Sequence, residues 1–219
     1  MRNWIRLFIY LVASLSFSGA GAGSYEDFFA AIKRDDAAVV TRLLQQGFDP
    51  NARDPAGQHG LYLALREPSL KVARALIDWP STDVEARNAR DESPLMMAAL
   101  RGHTDMVVRL VERGADVNKT GWAPLHYAAT KGDLVAMQVL LDHHAYIDAE
   151  SPNGSTPLMM AAMYGTPAAV RLLLVAGADA TLKNEQGLTA IDFAHRASRQ
   201  EVADMIAAAI RDKRPRGTW

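Results

Sequence analysis

A chain of 219 residues that is 49% apolar can bury a substantial core, as one or two compact domains or as one elongated array. It holds no cysteine, which excludes a disulfide framework and any thiolate metal site. Its 24 Lys and Arg against 25 Asp and Glu leave a formal charge of −1, a balance that gives no reason to expect a nucleic-acid partner.

The first stretch reads as an export signal. Arg2 and Arg6 flank the start of an apolar run, Leu7 to Phe17, and the small residues "SGAGAGS" follow, with Ala20 and Ala22 placed for an A-x-A cleavage site. A run of 11 residues falls well short of the ~20 that a membrane-spanning helix needs. Residues 1–22 are therefore expected to be removed, leaving a periplasmic or secreted protein without stable membrane insertion. Removal takes two arginines and no acid, so the mature charge is 22 − 25 = −3.

Beyond the signal the chain repeats itself. "DESPLMMAALRGHT" (91–104), "GWAPLHYAATKGDL" (121–134) and "GSTPLMMAAMYGTP" (154–167) align through their proline, leucine, paired alanines and glycine. His126, which at first sight could frame a small active site, is Met96 and Met159 in the other copies, a variable position in a repeat. Taking the proline as marker, equivalent positions fall at Asp27, Gly60, Pro94, Pro124, Pro157 and Ala190, with spacings of 33, 34, 30, 33 and 33. Twenty residues after the marker stands a glycine, as Gly47, Gly114 and Gly177, the latter two opening a "GAD" segment.

Each unit predicts a helix, a turn and a second helix. Ser93, Thr156 and Thr189 precede the marker, where a hydroxyl caps a helix N-terminus, and Pro94, Pro124 and Pro157 follow at the first helical position, where a missing N–H costs nothing. The alanine pair, such as Ala98 and Ala99, lets a neighbouring helix approach closely, and Gly102, Gly132 or Gly165 is expected to end the helix. Val107, Leu110 and Val111, or Val170, Leu173 and Leu174, then recur at helical spacing and pack on the first helix. Neither helix buries its apolar face alone; stacked copies do.

The pattern resembles the ankyrin repeat family, whose hallmark is T-P-L-H-x-A. The match covers roughly residues 25–210, and "STPLMMAAMYGTPAAVRLLLVAGAD" (155–179) is its most specific part. The resemblance implies an all-α fold: an ankyrin-repeat solenoid of about six helix-turn-helix units with β-turn fingers, here spanning residues 23–212, followed by a basic tail at 213–219. It also implies a concave groove lined by fingers and first helices, and a role in binding other proteins as a monomeric, non-catalytic scaffold without a cofactor. Several departures stand out. "QHGLYLAL" (58–65) lacks the helix-start signal, and the finger before Pro124 is three residues shorter than the others, which predicts a notch in the groove beside Trp122. His144 occupies the glycine position of its unit. The end units, 25–52 and 183–210, carry more charge, as capping repeats do.

No catalytic, phosphate-binding or calcium-binding motif is present. His143 and His144, with Asp142 and Asp148 nearby, form the best metal-like cluster, but a helix C-terminus accounts for them, because cationic and polar residues suit its dipole. Met96, Met97, Met159, Met160 and Met163 would suit Cu(I) in a metal-handling or oxidant-scavenging protein, yet they read as fillers of core gaps.

One pattern bears on binding. The resemblance implies that the two residues before the first-helix glycine face the groove: Lys33 and Arg34, Arg66 and Glu67, Leu100 and Arg101, Thr130 and Lys131, Met163 and Tyr164, Arg196 and Ala197. A basic residue recurs in five of the six units. One reading is that Lys or Arg near a helix C-terminus complements the macrodipole. The other is an electropositive stripe that recognises an acidic protein partner, with Trp122, Met163 and Tyr164 as anchors. The finger tips at Arg90 and Asn153 are the alternative surface.

Overall fold

In the computed structural model, which describes residues 23–213, every marker position from Gly60 onward is the first residue of a helix. The export signal read at 1–22 and the tail beyond Lys213 lie outside the described residues. Twelve helices lie within them. They are α1 (23–33), α2 (Ala37–Gln45), α3 (Gly60–Arg66), α4 (Leu70–Asp78), α5 (Pro94–Arg101), α6 (Thr104–Glu112), α7 (Pro124–Lys131), α8 (Leu134–Asp142), α9 (Pro157–Met163), α10 (Pro167–Ala176), α11 (Ala190–Arg196) and α12 (Gln200–Lys213). None of these is long and apolar enough to cross a membrane.

The described residues divide into two compact units, one ending at Asp91 and the other beginning at Glu92. In the first, α4 packs on both α2 and α3, and Phe28, Ile32, Leu43, Tyr62, Leu76 and Ile77 are buried between them. Ser69 gives α4 no side-chain cap. Asp35, in the turn after α1, supplies one from a distance, its Oδ1 accepting from Lys71 N (2.9 Å) and Val72 N (3.0 Å).

In the second unit the first helices pack in succession, α5 on α7, α7 on α9 and α9 on α11, and the second helices do likewise, α6 on α8, α8 on α10 and α10 on α12. Leu95, Leu110, Leu125, Leu140, Leu158 and Leu173 are fully buried at equivalent places. Each such side chain contributes roughly 1.5–3 kcal/mol by leaving water. The expected hydroxyl caps are formed: Ser93 Oγ accepts from Met96 N (3.2 Å) and Thr156 Oγ1 from Met159 N (3.4 Å).

The fingers are turns rather than extended strands. An isolated bridge between Arg53 and His59 is the only β pairing among the described residues. A polar side chain closes three of the tips: Asp54 Oδ1 accepts from Gln58 N (2.7 Å), Ser151 Oγ from Ser155 N (3.0 Å) and Asn184 Oδ1 from Leu188 N (3.0 Å).

One weak signal still gives its helix, and one sequence expectation needs correction. α3 forms despite its weak start signal, with His59 as a cap residue that makes no side-chain cap bond; the burial of Leu61 to Leu65 holds the helix instead. Gly165 does not end a helix through a left-handed backbone as Gly102 and Gly132 do at φ 72°. Tyr164 caps α9 at φ −121°, and Gly165 is required for space, because a Cβ there would stand 2.3 Å from the Ala129 carbonyl oxygen.

Candidate functional site

The groove residues divide between the two units. Arg66 and Arg90 belong to the first. Arg66 is already engaged: its guanidinium pairs with Glu67 at 2.8 Å and donates to Gln58 Oε1 at 2.6 Å. It is not the free cation that its position in the repeat suggests. Arg90 is exposed at a finger tip, where Asn88 Oδ1 accepts from its backbone N–H at 2.9 Å.

The second unit brings the rest together. Arg101 closes α5, Lys131 closes α7 and Tyr164 caps α9, so three successive packed helices end in these side chains. Packed helices lie about 10 Å apart, which sets the spacing of the row. Arg101 and Lys131 are exposed and have no hydrogen-bond or ion-pair partner among the described residues. The Lys131 stem lies over the α5 terminus, close enough that a Cβ on Gly102 would meet its Cε at 2.8 Å. This placement suits the α5 macrodipole and still leaves the ammonium available. Tyr164 is 58% exposed, Met163 beside it is half-buried, and Arg196 in the last turn of α11 is exposed. At α9 the terminal carbonyls are taken from the next repeat, since Arg199 donates to Ala161 O (3.1 Å) and Ala162 O (2.9 Å).

Trp122 does not stand as an open anchor. It is half-buried, with its ring 5.3 Å edge-on from His126 and 6.1 Å from Tyr127. A notch does open beside the shortened finger, about 460 Å³ in volume, but Asn118–Gly121 line it with Tyr146, Ala149 and Glu150, and Trp122 does not. Sequence reasoning missed Tyr146. The signal was present in "HAYID", where the other units carry an aspartate in place of the tyrosine.

His126 is a structural joint. Ala123 has no oxygen with which to cap α7, and its own N–H donates to His126 Nδ1 (3.1 Å). Nε2 then carries the proton and donates to Ser155 O (2.9 Å). Burial pushes the imidazole pKa down, against the raising effect of the Ser155 carbonyl. With both nitrogens used and no exposed surface, His126 has nothing to offer a substrate. Met96 Sδ and Met159 Sδ stand in for its Nδ1 in neighbouring units, each 3.4 Å from the cap N–H, and Asp192 Oδ2 does so at 2.7 Å.

No group of three or more His, Asp or Glu among the described residues is placed to hold a metal ion. Met96, Met97 and Met159 are buried in the core, where they fill space between helices.

The family model for ankyrin repeats (3 copies) matches residues 28–120, 69–151 and 125–214. Among similar proteins, the mouse B-cell lymphoma 3 protein homolog is 36% identical over 153 residues, 67% of this chain and 34% of that protein. Human neurogenic locus notch homolog protein 1 is 34% identical over 158 residues, 70% of this chain and 6% of that protein. The chain thus spans about a third of the first relative and a small part of the second. Among solved structures, a chain in the complex of the predatory endopeptidase Bd0816 from Bdellovibrio bacteriovorus with immunity protein Bd3460 superposes with a TM-score of 0.72 at 30% identity, covering 83% of this chain and 97% of that one. An ankyrin repeat domain from Acinetobacter baumannii also gives a TM-score of 0.72, at 26% identity, covering 83% and 96%.

Proposed function

The chain belongs to the ankyrin repeat family, whose members act as protein-interaction scaffolds, and from that premise we propose that it is a non-catalytic periplasmic scaffold whose second unit grips a protein with an acidic surface. The observation that carries this reading is the row of Arg101, Lys131 and Tyr164 at the ends of successive first helices, two cations without partners beside a largely exposed aromatic ring. Exposed rim charges draw in an acidic partner and set its rate of arrival, while an aromatic side chain supplies the contact that holds it. The similar chain seen in the endopeptidase and immunity protein complex supports a folded protein, rather than a small molecule, as the partner.

Export is the second part of the proposal and rests on the signal read in residues 1–22. The mature protein recovered from a periplasmic fraction is expected to begin close to Gly23; full-length protein in the membrane fraction would refute it. For the groove, cross-linking in the periplasm followed by mass spectrometry identifies the partner, and binding kinetics of variants test the surface. Tyr164→Ala is expected to weaken capture roughly tenfold or more, and Arg101→Ala to make it slower and less salt-sensitive. Unchanged affinity and kinetics in both variants would move the binding surface elsewhere. Trp122→Ala is a poor probe, since its ring packs on the buried His126 and its loss also disturbs the fold.

A further inference from the structure

Three departures from the repeat pattern meet at the notch beside the shortened finger. The first is the missing three residues in the finger that ends at Gly121, whose Cβ position stands 3.5 Å from Pro152 of the next finger. The second is Tyr146. The equivalent residues elsewhere are Asp49, Asp83, Asp116 and Asp179, and each turns its carboxylate back onto the N–H two residues on, at 2.9, 2.9, 2.8 and 2.9 Å. Tyr146 has no such bond to make, and its side chain stands 70% exposed on the wall of the notch. The third is Glu150. Arg53, Arg87 and Lys183 are its equivalents, so the charge is inverted here alone among these fingers. Glu150 is exposed and has no hydrogen-bond or ion-pair partner among the described residues. It lines the same depression as Tyr146.

We infer that the notch is a docking site for an arginine side chain of a protein partner, its guanidinium stacked on Tyr146 and paired with Glu150. An exposed aromatic face beside a free carboxylate suits a planar, weakly hydrated cation better than an ammonium, because the guanidinium both stacks and forks onto the carboxylate. The Thr120 carbonyl on the facing wall is taken by Lys119, whose Nζ donates to it at 3.2 Å. That ammonium is the one unfavourable charge in the notch, which makes a prediction of opposite sign available. The site differs in chemistry from the basic row at Arg101 and Lys131 and does not depend on it. Together the two would orient a partner that presents acidic and basic patches.

The test is a titration of the ¹⁵N-labelled mature protein with a penta-arginine peptide, followed by NMR. Saturable shifts confined to 118–121 and 146–150 are expected. Tyr146→Ala is expected to weaken binding roughly fivefold and Glu150→Lys roughly tenfold, while Lys119→Gln strengthens it. Both Tyr146 and Glu150 are exposed, so neither substitution threatens folding. A penta-lysine peptide is expected to bind several-fold more weakly, and Arg101→Ala and Tyr164→Ala to change nothing. Shifts scattered over all acidic surfaces, equal binding by the Glu150→Lys protein, or no saturable shift at the notch would each overturn the assignment. A null effect of the groove variants on the eventual protein partner would instead overturn the groove and leave the notch standing.

Discussion

The fingers before α3 and before α7 are built on one plan and finish it differently. In each, an asparagine clips its finger to the following repeat. Asn51 donates to Ser81 O (2.9 Å) and accepts from Asp83 N (2.8 Å); Asn118 donates to His144 O (2.9 Å) and accepts from Tyr146 N (2.8 Å). Each finger also buries a histidine, His59 at 1% exposure and His126 at 0%. His126 uses both ring nitrogens. His59 uses one, Nε2 toward Asn51 Oδ1 at 3.1 Å, and leaves Nδ1 buried without a partner. The lesson is positional. A histidine three residues into the helix faces the cap N–H and the next finger at once, whereas a histidine at the cap itself finds only the asparagine of its own finger.

The largest expected effect comes from breaking the satisfied joint. His126→Ala strands the Ala123 N–H in a dry interior, takes one of two donors from the Ser155 carbonyl, which keeps the Ser151 N–H at 3.0 Å, and leaves a cavity, a loss of roughly 3 kcal/mol in urea unfolding. His126→Met tests whether the cap acceptor matters most. The thioether can take the Ala123 N–H as Met96 and Met159 do for their own caps, so the loss is expected to fall to about 1 kcal/mol, the cost of one hydrogen bond to a Ser155 carbonyl that the Ser151 N–H still engages.

Next come the clips. Asn118→Ala removes two bonds that water can partly replace, about 1 kcal/mol, while Asn51→Ala also strips His59 of its only ring partner and is expected to cost roughly 2 kcal/mol. Equal losses would mean that the His59 to Asn51 contact contributes nothing.

The pH dependence separates the histidines in another way. Burial, with Arg53 adding to it, lowers the His59 pKa from 6.5 to about 4. A base depressed in the folded state favours unfolding once the unfolded chain takes up the proton, so this contribution declines as pH falls from 6.5 toward 4 and levels off below. His59→Gln is expected to flatten that part of the urea midpoint against pH; an unchanged slope would assign the acid sensitivity to other groups.

The smallest effect is at His144, whose carbonyl the Asn118 clip holds. Its φ is 66°, a left-handed backbone that costs a non-glycine residue of order 1 kcal/mol. His144→Gly is expected to leave stability unchanged or raise it by up to about that amount. A large loss would show that the imidazole makes contacts of its own.

Much of this architecture was legible before any coordinates. The marker positions were the first residues of α3, α5, α7, α9 and α11 because capping and proline chemistry act within a single turn. Left-handed His144 was readable because the repeat itself supplies the backbone conformation, and glycines stand at that place in other units. Gly165 was misread because its role depends on a carbonyl, Ala129 O, in the neighbouring repeat. Trp122 was given too open a place for a similar reason: only packing reveals that its ring turns onto His126.

What the sequence by itself determined is therefore local and periodic: where helices start, which faces are apolar, how the units succeed one another, and the family they belong to. The tertiary structure decided what happens between units. It showed that Arg66 is tied up by Glu67 and Gln58 while Arg101 and Lys131 are not, that the cap acceptor at His126 also ties α7 to the next finger, and that Tyr146 and Glu150 share one notch. A capping bond spans three residues and is written in adjacent letters. A contact between repeats spans about thirty, and whether a side chain there is engaged or free depends on the rotamers and bulk of neighbours that no local pattern encodes.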